Sequence, residues 1–173
     1  MYPYIRALKV LVKAKYGSYL KLIETSKINL RVMISDVDLY PELNNGRHLT
    51  MMDLGRYDYG MRLGLFAVLK RKKWGLMVAG NFTGYRRRLM IFQRYSLETE
   101  LVGYDDKWFY FYQRTVRRKI IHSAALVRTA VVSSKGIVKA ELVAKELGMS
   151  YQPFIPKWVE DWITLNDISP KIV

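Results

Sequence analysis

The spacing of apolar residues changes several times along the chain, and each change marks an element. Ile5, Leu8, Leu11 and Val12 recur at helical spacing among Arg6, Lys9, Lys13 and Lys15. This predicts a basic amphipathic helix within residues 1–24. Ile28, Leu30 and Val32 then alternate with Asn29, Arg31 and Met33, the period of a half-buried strand over residues 25–34. A polar loop follows at 35–42, with Pro41 inside it. Asn44 or Asn45 offers a short side-chain oxygen to the free N–H groups of a first helical turn. Residues from about Gly46 to Lys72 are therefore expected to be helical, with a break near Gly60 or Gly64. Lys70, Arg71, Lys72 and Lys73 end the element, where the helix dipole favours cations.

From Trp74 the period becomes two, and strands are expected over 74–86, 92–102, 108–116 and 120–132. Gly75, Gly80 and Gly84 in the first of these suggest bulges or bends. Asp105-Asp106-Lys107 and Arg117-Arg118-Lys119 read as turns. Val138 to Leu147 reads as a short helix stopped by Gly148. Trp158 and Trp162, four apart, suit an amphipathic helix lying back on the body. The order is strand, long helix, four antiparallel strands. It makes an α+β layer structure, and one highly curved sheet wrapped around a single helix satisfies it. The chain divides into an N-terminal helix (1–24), a main domain (25–148) and a tail (149–173).

Composition changes this picture in two places. Cysteine is absent, which excludes disulfides, thiolate metal sites and a cysteine nucleophile and permits a cytoplasmic setting. The two histidines, His48 and His122, are far apart and show no ligand spacing, so no metal site is expected. Lys+Arg is 29 against Asp+Glu 15, a formal net charge of +14. Such a balance favours nucleic acid, acidic lipid, acyl carrier protein or a phosphate-rich cofactor; the plainer alternative is a solvated basic surface. No apolar stretch approaches the roughly 18 residues that cross a bilayer. The N-terminal helix is too often interrupted by charge for a signal peptide. It either packs on its own domain or lies on a membrane surface.

Three segments in order carry a family resemblance: Asp36-Val37-Asp38, Asn44-Asn45-Gly46-Arg47 and Met52-Asp53-Leu54-Gly55-Arg56. They resemble the hotdog-fold thioesterases of the 4-hydroxybenzoyl-CoA thioesterase-like superfamily, in particular the branch of thioesterase superfamily member six. That branch typically reads Asp-x-Asp-x-Asn-x-His-x-Asn-Asn-Gly-x-Tyr, then Met-Asp-x-x-Arg. Tyr85-Arg86-Arg87-Arg88, Phe92-Gln93-Arg94-Tyr95, Trp108-Phe109-Tyr110 and Ala125-Leu126-Val127-Arg128 extend the similarity over roughly residues 25–148. The chain departs from the branch at three positions: Glu42 replaces His, Tyr40 replaces Asn and His48 replaces Tyr.

The resemblance implies a hotdog fold and hydrolysis of acyl-CoA or acyl-carrier-protein thioesters, with no cofactor beyond the carrier itself. It places Asp38 as nucleophile or general base, with Asn44 positioning water or the thioester carbonyl. Backbone N–H groups near Asn45 and Gly46, at the positive end of the helix, are the expected oxyanion donors. Asp53 is a competing catalytic acid, although with Arg56 three residues later it also fits a plain helix ion pair. Asp38 in turn fits a turn or capping residue. Glu42 is a substitute base or a solvated loop residue; His48 and His122 read as structural. Arg86, Arg87 and Arg88 are candidates for the phosphates of coenzyme A or the acids of a carrier protein. The aromatic run Trp108 to Tyr112 packs the sheet against the helix, rather than stacking single-stranded nucleic acid. A homodimer or dimer of dimers is implied, with the glycine-bearing strand 74–85 pairing across it. The departure at Glu42 leaves a catalytically weak acyl-thioester binding protein as the alternative.

Overall fold

The computed structural model describes residues 2–22, 24–148 and 155–168. In chain order the elements are α1 (Tyr4–Lys15), β1 (Ser26–Arg31), α2 (Asn45–Arg62), α3 (Leu65–Lys72), β2 (Gly75–Tyr85), β3 (Arg94–Tyr104), β4 (Phe109–Arg117), β5 (Ile120–Ser133), β6 (Gly136–Ile137), α4 (Ala140–Glu146) and α5 (Lys157–Ile168). One antiparallel sheet runs in the order β1-β3-β4-β5-β2, with β6 added to β5. It curls around α2. Ile28, Leu30, Leu97 and Val127 from the sheet pack on Met51, Met52 and Leu54 of the helix. A second part of the core joins Tyr59 to Leu101, Phe109, Val131 and Val143.

Helix and sheet approach most closely at Gly55. A Cβ there would lie 2.5 Å from Thr99 Oγ1 and 2.8 Å from Leu97 Cδ2, so only glycine lets α2 seat at this depth. Thr99 and Gln113 face each other across β3 and β4, and both are fully buried beneath that glycine.

Local chemistry moves several boundaries from the expected ones. The first strand stops at Arg31, because Asp36 accepts the Met33 N–H at 2.9 Å and winds Ile34–Asp36 into a 3₁₀ turn. The long helix breaks after Arg62, where Gly64 takes φ +83° and starts α3. The strand expected from Phe92 begins at Arg94, since Phe92 itself adopts φ +64° in the preceding turn. α1 ends at Lys15, well short of residue 24. Gly80 sits at the bulge between β2 and β5, as a strand glycine suggests.

The aromatic run in β4 serves both faces of the sheet. Phe109 and Phe111 point towards α2, and Phe111 meets Tyr59 edge-on at 5.5 Å. On the other face α5 covers Tyr110 and Tyr112: Val159 is fully buried, Trp162 meets Tyr110 at 6.4 Å and Trp158 meets Tyr112 at 5.2 Å. Arg128 stacks on Trp108 and Trp162. The tail helix therefore lies back on the body; Pro153 falls outside the described residues.

Gly55→Ala is expected to lower stability by about 1–3 kcal/mol through overpacking, read as a lower urea midpoint at an unchanged m-value. A midpoint equal to that of the parent protein would show that the helix seats less tightly than these contacts require.

Candidate active site

The two aspartates of the Asp-x-Asp segment have opposite environments. Asp36 is fully buried. Its carboxylate receives Arg6 at 2.8 and 2.9 Å, Arg47 at 3.2 Å and the Met33 N–H at 2.9 Å. Its backbone carbonyl accepts the Asn44 N–H at 2.9 Å. Asp36 therefore joins α1, the loop and the start of α2. Asp38 is exposed and accepts from Asn44 Nδ2 at 2.8 Å and from the Tyr40 N–H at 3.0 Å. The Asn44 amide, aided by that backbone donor, holds the Asp38 carboxyl below the usual carboxylate range.

Asn44 also caps α2. Its Oδ1 accepts the N–H of Gly46 at 2.9 Å and of Arg47 at 3.3 Å. Gly46, expected as an oxyanion donor, has its N–H occupied by this cap. The Asn45 N–H has no acceptor among the described residues. Asp38, Asn44 and Asn45 thus form one cluster at the positive end of the helix.

Glu42 is not a free loop carboxylate. It lies 3.0 Å from Arg88 Nε, and its backbone bridges to Met90. Arg86 and Arg87 donate their backbone N–H groups to the His122 carbonyl at 2.8 and 3.0 Å, leaving both side chains exposed. The arginine run therefore lies on the turn after β2, with Arg88 held by Glu42.

Folding brings the two histidines into one neighbourhood. His48 is buried on α2, with Nδ1 3.2 Å from Ser123 Oγ and its ring 5.1 Å from that of Tyr85. Ser123 continues to Thr115 at 2.7 Å. His122 Nδ1 lies 2.9 Å from the Arg88 carbonyl. Burial, with His122 nearby, lowers the His48 pKa to about 4. Among the described residues no group of three or more His, Cys, Asp or Glu is placed to hold a metal ion.

Asp53 stands about two turns, roughly 12 Å, along the helix from Asn45. Arg56 bonds its carboxylate and also donates to Gln113 Oε1 at 2.6 Å. Gln113 Nε2 donates to the Met52 carbonyl and to Thr99 Oγ1, each at 2.9 Å. Burial raises the Asp53 pKa against the opposing pull of Arg56. Beside this network lies a cavity of about 160 Å³, lined by Asp53, Arg56 and Tyr57 and otherwise mostly by apolar side chains such as Leu63, Phe111 and Val131. Leu76, Met77 and Val78 of β2 form one wall.

Asp38 and Asp53 therefore occupy separate networks within one chain. The support from Gln113 and Thr99 joins residues 14 apart in the chain on neighbouring strands, a pairing that no local pattern marks. The one signal for it was Thr99, a hydroxyl in the inward series Tyr95, Leu97, Thr99 and Leu101.

The sequence profile of the thioesterase-like superfamily matches residues 32–162. Protein THEM6 of Danio rerio is 30% identical over 132 residues, covering 75% of this chain and 65% of that protein. Protein THEM6 of Xenopus laevis is 29% identical over 169 residues, covering 96% and 81%. The crystal structure of the probable thioesterase YbaW from Escherichia coli superposes with a TM-score of 0.66 at 17% identity, covering 71% of this chain and 96% of that one. This last likeness shows a shared hotdog fold.

The His48 environment predicts a pH effect on stability. Its pKa falls from an ordinary 6.5 to about 4 on folding, so the unfolded chain binds the proton more readily. The contribution is complete above pH 6.5 and is lost as pH falls towards 4. Urea midpoints measured across that interval should decline, and the decline should be shallower in His48→Gln.

Proposed function

Because the chain belongs to the thioesterase-like superfamily, we propose that it hydrolyses an acyl thioester of coenzyme A or of acyl carrier protein. The observation that carries this reading is the mostly apolar cavity beside α2, which suits an acyl group and ends at the polar network of Asp53 and Arg56. Asp38 lies outside its lining, and the part assigned to it rests on its cluster with Asn44 at the helix start.

In the proposed reaction Asp38, ionised at neutral pH, either takes a proton from water or attacks the carbonyl carbon directly. In the first route the hydroxide adds to the carbonyl. In the second a mixed anhydride forms and water then cleaves it. Asn44 orients the reacting group, and the Asn45 N–H at the helix terminus stabilises the oxyanion. In the first route collapse expels the thiolate and leaves the carboxylic acid; in the second it expels the thiolate as the anhydride forms, and hydrolysis then releases the acid and restores Asp38. Gly46 contributes through the fit of the Asn44 cap, since its N–H is already engaged. Arg86 and Arg87, with exposed side chains, and Arg88 beside them suit the phosphates of coenzyme A or the acids of a carrier protein.

A specific observation favours Asp53 as a second reading. It touches the cavity, and burial makes it the stronger base of the two. The Glu42–Arg88 ion pair supports a third, non-hydrolytic reading. With its carboxylate held by a guanidinium, Glu42 does not reproduce the branch histidine, and an acyl-thioester binding protein is what remains.

The free edge of β2 supports assembly as a homodimer. This strand of 11 residues pairs on one side with β5 and exposes Leu76, Met77, Val78 and Phe82. A long apolar edge of this kind invites pairing with another copy. Such pairing would place the cavity wall Leu76-Met77-Val78 at the subunit boundary.

Hydrolysis assays over a range of acyl chain lengths test the reading. Asp38→Asn should lower kcat by about 10²–10⁴-fold while acyl-CoA binding persists. Full activity in Asp38→Asn together with a loss in Asp53→Asn would transfer the role to Asp53. Binding without turnover in the parent protein would leave the binding-protein reading. For the assembly, Val78→Asp should shift the light-scattering mass from dimer to monomer, and a parent protein that is already monomeric would reject the β2 interface.

A further inference from the structure

The outward face of α1 has no role in the site. Ala7 and Ala14 seat the helix on the domain, and Arg6 is tied to Asp36. The other side exposes Ile5 at 75%, Leu8 at 64% and Val12 at 49%. These positions recur at helical spacing and form a stripe. Tyr16 and Tyr19 continue it beyond the helix, exposed at 80% and 85%. Lys9, Lys13 and Lys15 are exposed beside it. The first acidic residue of the chain is Glu24.

A second basic surface adjoins the first. A cleft of about 750 Å³ between α1 and β1 is lined by Lys9, Lys13 and Arg31. Arg31 also lines a neighbouring cleft of about 640 Å³, with Arg94, Arg117 and Arg118. Arg31 and Arg94 stand directly opposite each other across β1 and β3. Like charges in that relation are unfavourable, and an anion over them would relieve the repulsion; Arg31 is held there by donating to the Phe92 carbonyl at 2.8 Å. Arg118 and Lys119 take φ +49° and +63° in the β4–β5 turn, a conformation that usually selects glycine or asparagine. Cations thus occupy positions that the fold alone disfavours.

We propose that this face docks the protein on an anionic lipid bilayer, with the α1 stripe entering the headgroup boundary and the lysines and arginines meeting lipid phosphates. An apolar stripe flanked by cations fits a membrane surface, where both contributions act together. A second copy of the chain is a poor occupant, because the same cations would face one another. An acidic protein would satisfy the charges but needs its own apolar groove for Ile5, Leu8 and Val12.

The test is co-sedimentation of the full chain with vesicles of equal parts phosphatidylcholine and phosphatidylglycerol. Binding is expected with these vesicles and not with pure phosphatidylcholine, and it should weaken as salt rises. Lys9→Gln/Lys13→Gln should weaken it by about fivefold per lysine. Leu8→Ser/Val12→Ser should weaken it at every salt concentration. Because cysteine is absent, a polarity-sensitive dye on Leu8→Cys gives a readout that needs no loss of binding. Its emission should shift to the blue with the mixed vesicles, while the same dye on Ser134→Cys stays unchanged. Protein left in the supernatant with both vesicle types would overturn the proposal. So would binding indifferent to the α1 substitutions, or a dye at position 8 that remains in water. A fall in light-scattering mass in Leu8→Ser/Val12→Ser without lipid would overturn it in favour of a second copy on this face.

Discussion

A buried carboxylate governs how the site is presented. Leaving Asp36 unpaired at full burial would be severely destabilising, so its partners are strongly specified. They come from three parts of the chain: Arg6 on α1, Arg47 in the first turn of α2 and the Met33 N–H in the loop. The Asp36 carbonyl takes the Asn44 N–H as well. Satisfying this one group fixes the path of the loop, the first turn of α2 and the docking of α1. Asp38 is then turned outwards, where the already oriented Asn44 can reach it. One aspartate of the segment builds the support; the other is left exposed at the helix start.

The same logic applies at the middle of the helix, with packing as the constraint. Gly55 brings α2 down onto β3 and β4, and Gln113 is buried by that approach. An amide so placed must find partners. It finds Thr99, the Met52 carbonyl and Arg56, and through Arg56 it orients Asp53 at the cavity. Two carboxylates therefore sit in surroundings of opposite character, Asp38 on the loop before α2 and Asp53 on the helix itself. Asp38 is open and ionised by its donors; Asp53 is half-buried, with its proton held more tightly. Their environments separate a weaker base, Asp38, from a stronger one, Asp53.

The outer surfaces divide in a comparable way. β2 presents an apolar edge beside the cavity, whereas α1 and the β1–β3–β4 end present cations with an apolar stripe. The net charge of +14 is thus not spread evenly as a solvated coat. Part of it gathers near α1 and β1, part on the turn after β2. Assembly through β2 and docking through α1 would use different sides of the sheet order, since β1 and β2 are its two ends.

Periodicity in the sequence determined the elements and their order, because the side-chain period of a helix or strand is a local property. Residue type narrowed the cap to Asn44 or Asn45, the break to Gly60 or Gly64 and the irregularity of β2 to Gly75, Gly80 or Gly84, and the fold selected Asn44, Gly64 and Gly80. The ordered Asp-x-Asp, Asn-Asn-Gly and Met-Asp-x-x-Arg segments were enough for the family. Tertiary structure alone decided which aspartate is buried, because burial depends on Arg6 and Arg47 arriving from separate elements. It tied Glu42 to Arg88, brought His48 near His122 and occupied the Gly46 N–H with the Asn44 side chain. It also covered the outer aromatics of β4 with α5 while leaving the stripe of α1 open. The stretch from Asp36 to Arg56 reads as a signature in sequence, but the division of surroundings within it comes from contacts made at long range.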